Sequence, residues 1–356
     1  MEKLVSVAES RRFMIDCFKI SGVPQHHAEQ QADLLVAADY RGHISHGLNR
    51  LQHYLNDLST KSADGTAVPK ILKESPATAW VDGCNGLGAV VGNFCMDLAI
   101  EKAKKVGVGW VCAKNCNHYG MSGWYPWRAM KEGLVGISMS NASPIMAPTG
   151  AKEAALGTNP ISVAAQAEDD QFLLDIATAA TSLGKIEIKR RKGEKIPEGW
   201  LQNTEAASTN DLEKKSKDDI VMRFGGDSGH KGYGLSVVVE ILSGVMAGAN
   251  FSTKIRKWSP TDTNQRANLG QLFAAIDPCY FDPNFKANLA DLTCRLRKSQ
   301  PIDPKKPVLV PGDMEAAAMK AVDEAGGIKY LPDQLKACEE LAQCLKVNPL
   351  SFANRE

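Results

Sequence analysis

The chain has 356 residues, 44% of them hydrophobic and 23% charged, which is ordinary globular composition with enough length to bury a sizeable core. Lys and Arg number 42 against 41 Asp and Glu, so the formal net charge of +1 argues against nucleic acid or an anionic membrane as a partner. No apolar run reaches the roughly 18 residues of a membrane span, MEKLVSVAESRRF lacks a secretory apolar region, and nine scattered cysteines fit reduced thiols in the cytoplasm.

In chain order, residues 5–22 and 25–40 read as helices. Ser6 opens the first, and Ala28, Ala32, Leu35 and Ala38 recur at helical spacing in the second. The polar stretch RGHISHGLNR leads into helical LQHYLNDLST, and residues 61–76 read as a connector. ATAWVD (77–82) predicts a strand, followed by Gly-rich CNGLGAVVG and a helix over roughly 91–106. GVGWVCA (107–113), LVGISMS (134–140) and FLLDIA (172–177) predict further strands. Residues 187–220 are highly charged without periodicity and read as a surface excursion. A glycine-led apolar helix is expected over 229–250, a loop over 255–271, a strand at 271–277 and an amphipathic helix at 284–297. Residues 307–327 read as strand, turn and helix, and the last helix as 332–346. The class is α/β with helices at both ends.

Gly86-x-Gly88 in the turn after the first strand invites a dinucleotide-binding reading. The Rossmann fingerprint needs a third Gly or Ala where Val91 stands, and an acid after the next strand, where Cys112-Ala113-Lys114 runs instead. A tight turn for close helix–strand packing is the better reading. Cys112-x3-Cys116 has no second paired cluster, so two small buried side chains are expected rather than a metal.

Four clusters carry candidate chemistry. In His43-Ile44-Ser45-His46-Gly47-Leu48-Asn49-Arg50, His46 is a candidate for proton transfer because an ordinary histidine titrates near neutrality, Ser45 can orient it, and Arg50 lies four residues on. A guanidinium there can hold a carboxylate by two parallel hydrogen bonds. Asn117-His118-Tyr119-Gly120-Met121-Ser122-Gly123 follows a strand end, and His118 is a second acid/base candidate. Gly150 to Pro160, with Asp175-Ile176-Ala177-Thr178, offers backbone N–H groups and hydroxyls for anions, and Asp175 could accept from a ribose. Gly225 to Gly234 places His230 and Lys231 at a helix N-terminus, without P-loop spacing.

With SHGLNRLQHY (45–54), NHYGMSGWY (117–125), SPIMAPTGAKEAALGTNP (143–160), LDIATAATSLGKIEI (174–188), RRKGEKIPEGW (190–200), GGDSGHKGYGLSVVVEILSG (225–244), LFAAIDP (272–278) and VPGDMEA (310–316), the chain resembles the malate/L-lactate dehydrogenase family of the second, non-Rossmann type. That family includes ureidoglycolate dehydrogenase and diketogulonate reductase. The resemblance implies the family's own NAD(P)-binding fold with a mixed sheet, and a homodimer with its active site between subunits. It divides the chain into a helical segment 1–76 carrying the Ser-His/Arg site, a cofactor-binding region 77–300, and a C-terminal segment 301–356 returning to the N-terminal helices. It implies hydride transfer between NAD, with NADP possible, and a small 2-hydroxy or 2-keto acid of malate or lactate type; reduction of cyclic imino acids or another keto acid on the same scaffold is the alternative, and a non-catalytic binding protein the remoter one.

By the same resemblance, Ser45 and His46 form a catalytic relay, with His118 the alternative acid/base. Arg50, Thr158, Leu183 and Gly184 meet the substrate. His118 to Ser122, Asp175 to Ala177, His230, Lys231, Pro311, Gly312 and Asp313 line the cofactor. Two departures stand out: no glycine near Ala206–Ala207, and Asp313 where the family carries the longer acid. The basic run Lys189-Arg190-Arg191-Lys192 could meet a 2′-phosphate, although a solvated charge run is the simpler reading.

Overall fold

The computed structural model describes residues 3–203, 208–209, 220–258 and 265–352; Ala206 and Ala207 lie outside the described residues. The chain begins with β1 (Lys3–Val5) and α1 (Val7–Ile20). Ser6 caps α1 by accepting from the Glu9 N–H at 3.1 Å. The helix buries Phe13, Met14, Cys17 and Phe18 against α2 (Gln25–Tyr40), the second helix read from the sequence. A single 3-10 turn, Leu48–Arg50, leads into α3 (Leu51–Ser59).

The presumed connector contains a strand, β2 (Lys70–Glu74), which is exposed throughout. It escapes a periodicity reading because KILKE buries no face. Next come β3 (Thr78–Asp82), α4 (Gly88–Val106) and β4 (Val108–Cys116). β3 and β4 are parallel, so this is one βαβ unit. Its glycine turn serves packing: a Cβ on Gly88 would lie 2.0 Å from the His118 carbonyl oxygen. The first turn of α4 is also closed, because the Ala89 N–H donates to the Gln31 side chain on α2. Cys112 and Cys116 are small buried side chains of β4.

Then follow α5 (Trp124–Lys131), β5 (Val135–Ser140), β6 (Ile161–Gln166), β7 (Gln171–Ile176) and α6 (Leu183–Arg191). The sequence reading missed α5, β6 and α6. Pro126 inside the first turns of α5 and the alternating Ile-Glu-Ile of α6 mask helical periodicity. Ser182 caps α6 by accepting from Lys185 N–H at 3.3 Å, and Ile186 and Ile188 are buried on opposite sides of the helix. Part of the expected surface excursion is therefore a helix.

Three short strands, β8 (Leu201–Gln202), β9 (Ser208–Thr209) and β10 (Ile220–Val221), form a small sheet. α7 (Gly229–Glu240) continues into a π-helical turn, Ile241–Val245. β11 (Leu269–Ile276) then enters the middle of the main sheet, whose order is β2-β3-β4-β11-β5-β6-β7. β11 is antiparallel to both neighbours, so the sheet is mixed, as expected. Its near-continuous apolar sequence fits a strand covered on both faces: α4 and α5 on one, the π-helical turn on the other.

The chain closes with α8 (Phe285–Arg297), α9 (Asp313–Ala325), β12 (Ile328–Tyr330) and α10 (Pro332–Leu345). The strand expected just before α9 is absent: Pro307 and Pro311 lack N–H groups for a ladder, and only the Leu173 N–H reaches the Pro311 carbonyl. β12 pairs with β1, and α10 packs on α1, so the C-terminal elements rest on the N-terminal helices.

Candidate active site

The turn between α2 and α3 is held from below by Asp39. Its carboxylate accepts the Leu48 N–H at 2.8 Å and the Tyr330 hydroxyl at 2.8 Å. Burial, only partly offset by these donors, pushes its carboxyl up to about 7. Above this anchor opens a cleft of about 390 Å³. Ser45, His46, Arg50, His118, Thr158, Leu183 and Gly184 all line it, so the structure brings every expected catalytic and substrate residue to one place.

The two imidazoles lie nearly parallel, with centroids 6.0 Å apart. Ser45 Oγ is 2.9 Å from His46 Nδ1. Burial first, then the Arg50 charge, holds His46 down to about 3, so it is neutral at physiological pH. His118 is also held well below its usual value, by burial and then by the neighbouring histidine and arginine charges. His118 Nδ1 meets two donors, the Gly120 N–H at 3.2 Å and the Tyr54 hydroxyl at 2.7 Å. A backbone N–H can only donate, so Nδ1 accepts, and the neutral ring carries its hydrogen on Nε2. His46 is not so constrained: a serine hydroxyl donates or accepts, so either tautomer is open to it. Trp258 fixes the His118 plane by stacking at 4.1 Å.

Arg50 is buried and partly committed. It donates Nε–H to the Ser45 carbonyl at 2.8 Å and Nη2–H to Glu187 at 2.7 Å, with His53 Nε2 at 3.4 Å from Nη1. A guanidinium has five hydrogens, so one remains on each terminal nitrogen. α6 presses on this group: a Cβ on Gly184 would lie 2.4 Å from Arg50 Nη2.

The cofactor candidates are more dispersed. Apart from His118, none of them lines the cleft. Tyr119, Met121 and Ser122 have buried side chains, with Tyr119 Oη 2.6 Å from Ser122 Oγ. Asp175 accepts from the Gly123 N–H and from Ser162 Oγ, both at 2.7 Å. Ile176 and Ala177 are half-buried beside it. His230 and Lys231 are exposed in the first turn of α7. Gly312 and Asp313 border a second hollow with Asp170 and Gln171, where Arg297 clamps Asp170 at 2.6 Å and Asp313 at 2.7 Å; exposed Pro311 precedes them. One buried donor fits an anionic or hydroxyl-rich ligand between these groups. Arg41, at the end of α2, feels Glu315 and Asp175, and its Nη2 has no partner among the described residues. This donor set suits the ribose and phosphate oxygens of a dinucleotide.

The sequence reading missed Arg41, His53, Asp57, Glu187, Arg256 and Trp258. His53 and Asp57 follow Arg50 by three and seven residues on one helical face, a signal that was legible. Arg256 and Trp258 stand in a polar stretch with no period, and only the folded chain brings them to His118. The basic run proves to be the end of α6, where Lys189 pairs with Glu194 and Arg190 lines the cleft.

The profile of the malate/L-lactate dehydrogenase family matches residues 5–338. The chain is 37% identical over 353 residues to a malate dehydrogenase of Pyrococcus horikoshii, covering 97% of this chain and 96% of that one. It is 40% identical over 335 residues to an L-sulfolactate dehydrogenase of Methanocaldococcus jannaschii, covering 93% and 95%. The crystal structure of malate dehydrogenase from Entamoeba histolytica superposes with a TM-score of 0.91 at 30% identity, covering 98% of this chain and 99% of that one.

Proposed function

The chain belongs to the malate/L-lactate dehydrogenase family, and from that premise we propose that it moves hydride between a nicotinamide dinucleotide and C2 of a small 2-hydroxy or 2-keto acid in the cleft beside Ser45, His46 and Arg50. The observation that carries this reading is the meeting of a buried guanidinium and two neutral imidazoles on one cleft. Arg50 receives the substrate carboxylate on the hydrogens left free by Ser45, His53 and Glu187. His46 Nε2 takes the C2 hydroxyl proton, while its Nδ1–H is received by Ser45 Oγ. His118 Nε2–H donates to the same oxygen and supports the charge that develops there. Thr158, Leu183 and Gly184 wall the substrate. When bound, the nicotinamide ring supplies the hydride acceptor or donor. Proton transfer of this kind contributes about 10²–10⁴-fold.

For the cofactor, NAD is the expected form and NADP the competing one. Lys189 and Arg190 are engaged at Glu194 and in the substrate cleft, which favours the form without a 2′-phosphate. Arg41, Asp175 to Ala177, His230, Lys231 and the turn Pro311 to Asp313 would hold it. All nine cysteines are free thiols, and no helix among the described residues is long and apolar enough to cross a membrane; a cytoplasmic enzyme is consistent with both. The test is the absorbance of reduced nicotinamide with L-malate, L-lactate, sulfolactate, oxaloacetate and piperideine-2-carboxylate, against both cofactors. Turnover of a hydroxy or keto acid is expected. Turnover of the cyclic imine alone, or of none of them, overturns the reading.

A further inference from the structure

Arg256 lines the cleft, yet only 6% of it is exposed. Its Nη2 donates to Asp57 Oδ1 at 2.7 Å. The other Asp57 oxygen accepts from Trp258 Nε1 at 2.9 Å. Each Asp57 oxygen thus has a partner, while Nε and Nη1 of Arg256 have no acceptor among the described residues. Buried donors left unmade are costly, which argues that an acceptor belongs there.

The spacing suggests which acceptor. Asp57 of α3 follows Arg50, the residue that caps the helix, by seven residues, about 10 Å along the axis at 1.5 Å per residue. Arg256, held by Asp57, therefore stands two helical turns from the carboxylate clamp and borders the same cavity. The charge inventory agrees. Arg50, Arg190, Arg256 and Lys257 border the cleft against only Asp57 and Glu187, and the histidines there are neutral. The excess of cations suits an acid bearing two negative charges. Arg190 and Lys257 already have interactions of their own, and Lys257 is exposed, so Arg256 is the better reader.

We propose that Arg256 is the specificity-determining residue for a second anionic group, a carboxylate or sulfonate, so that the cleft selects dianionic over monoanionic 2-hydroxy acids. This deepens the dehydrogenase reading and rests on its placing of the substrate, but it can be tested without turnover. Succinate and butyrate share four carbons, lack the hydroxyl and differ by one carboxylate. Titration calorimetry, with and without NAD, should show succinate binding at least about tenfold more tightly than butyrate. Arg256→Gln should erase that preference by about tenfold to a hundredfold, and Arg50→Gln should weaken both ligands. Because a lone buried Asp57 could unfold the single variant, Arg256→Gln/Asp57→Asn provides the same readout with both charges removed. A preference that survives in both variants, one that vanishes only in Arg190→Gln or Lys257→Gln, or no preference in the wild type, overturns the proposal. A preference that depends on Arg256 in a protein that turns over none of the hydroxy or keto acids with either nicotinamide cofactor upholds the anion site and overturns the dehydrogenase reading instead.

Discussion

His46 and His118 differ less in position than in what their Nδ1 atoms meet. The Gly120 N–H ties up the lone pair of one; a serine hydroxyl leaves the other free to switch. The low proton affinity of His46 has a kinetic consequence. A base with a pKa of about 3 is already unprotonated throughout the neutral range. The kcat/KM profile for alcohol oxidation should therefore show no acid limb near the ordinary histidine value of 6.5; a limb there would mean that the base is another group. Stability behaves differently. In the unfolded chain His46, His53 and His118 gain protons near 6.5, whereas in the folded chain His53 holds out to about 4, His46 to about 3, and His118 well below its usual value. The unfolded state then binds more protons, so their contribution is complete above 6.5 and is lost as pH falls through this window. Asp39 acts oppositely: its carboxyl is raised from 3.8 to about 7, so its ionisation costs stability as pH rises between those values. Three histidines outweigh one carboxyl, and Tm should fall on acidification below 6.5. Asp39→Asn should make that fall steeper; a shallower slope would assign the pH dependence elsewhere. At this scale Ser45, His46 and Arg50 were legible because they sit within one short stretch. The tautomer of His118 was not, since it depends on Tyr54 and a backbone turn that sequence spacing does not reveal.

Helix α6 is the element whose placement matters most to the cleft, and the one the periodicity reading lost. Its charged sequence looks solvated, but Ser182 caps it and its first turn lies directly on the clamp. A methyl group at Gly184 would collide with Arg50 Nη2. Gly184→Ala should therefore raise KM for the acid by about tenfold, the loss of one charge-assisted hydrogen bond, with cofactor affinity retained. An unchanged KM would show that the helix yields without moving the guanidinium. Gly88 is the contrasting case. Its place in a strand–turn–helix unit imitates a phosphate loop, but the helix start is filled by Gln31 and the glycine lies against the His118 carbonyl. Gly88→Ala should cost about 1–3 kcal/mol of stability by overpacking, measured by denaturant unfolding. A variant as stable as wild type but unable to bind a nicotinamide cofactor would restore the phosphate-loop reading. The long helices were readable from their length and composition and the central strands from their apolar runs; β2, β6 and α6 were not, because short length and mixed polarity deny them either signal.

For the whole molecule, burial leaves one conspicuous gap. Leu235, Val238, Ile241 and Val245 follow one another along α7 and its π-helical continuation, each about half exposed at 45–50%. Contiguous exposed apolar surface is characteristic of interfaces, and we propose this stripe as the seat of the homodimer that the resemblance implies. Val238→Asp should shift the protein to monomer in light scattering; a dimer untouched by that charge would move the interface elsewhere. The seven-stranded sheet, with late-arriving β11 at its centre, explains why the parts of the cleft are scattered along the chain: strands that are neighbours in space come from distant segments. The central claim, that His46 accepts the alcohol proton in a cleft assembled from those segments, is tested most directly by turnover of the preferred hydroxy acid in His46→Ala beside wild type, with cofactor affinity measured on the same samples. A fall in kcat of about 10²–10⁴-fold at unchanged cofactor affinity is predicted; turnover at the wild-type rate would contradict it.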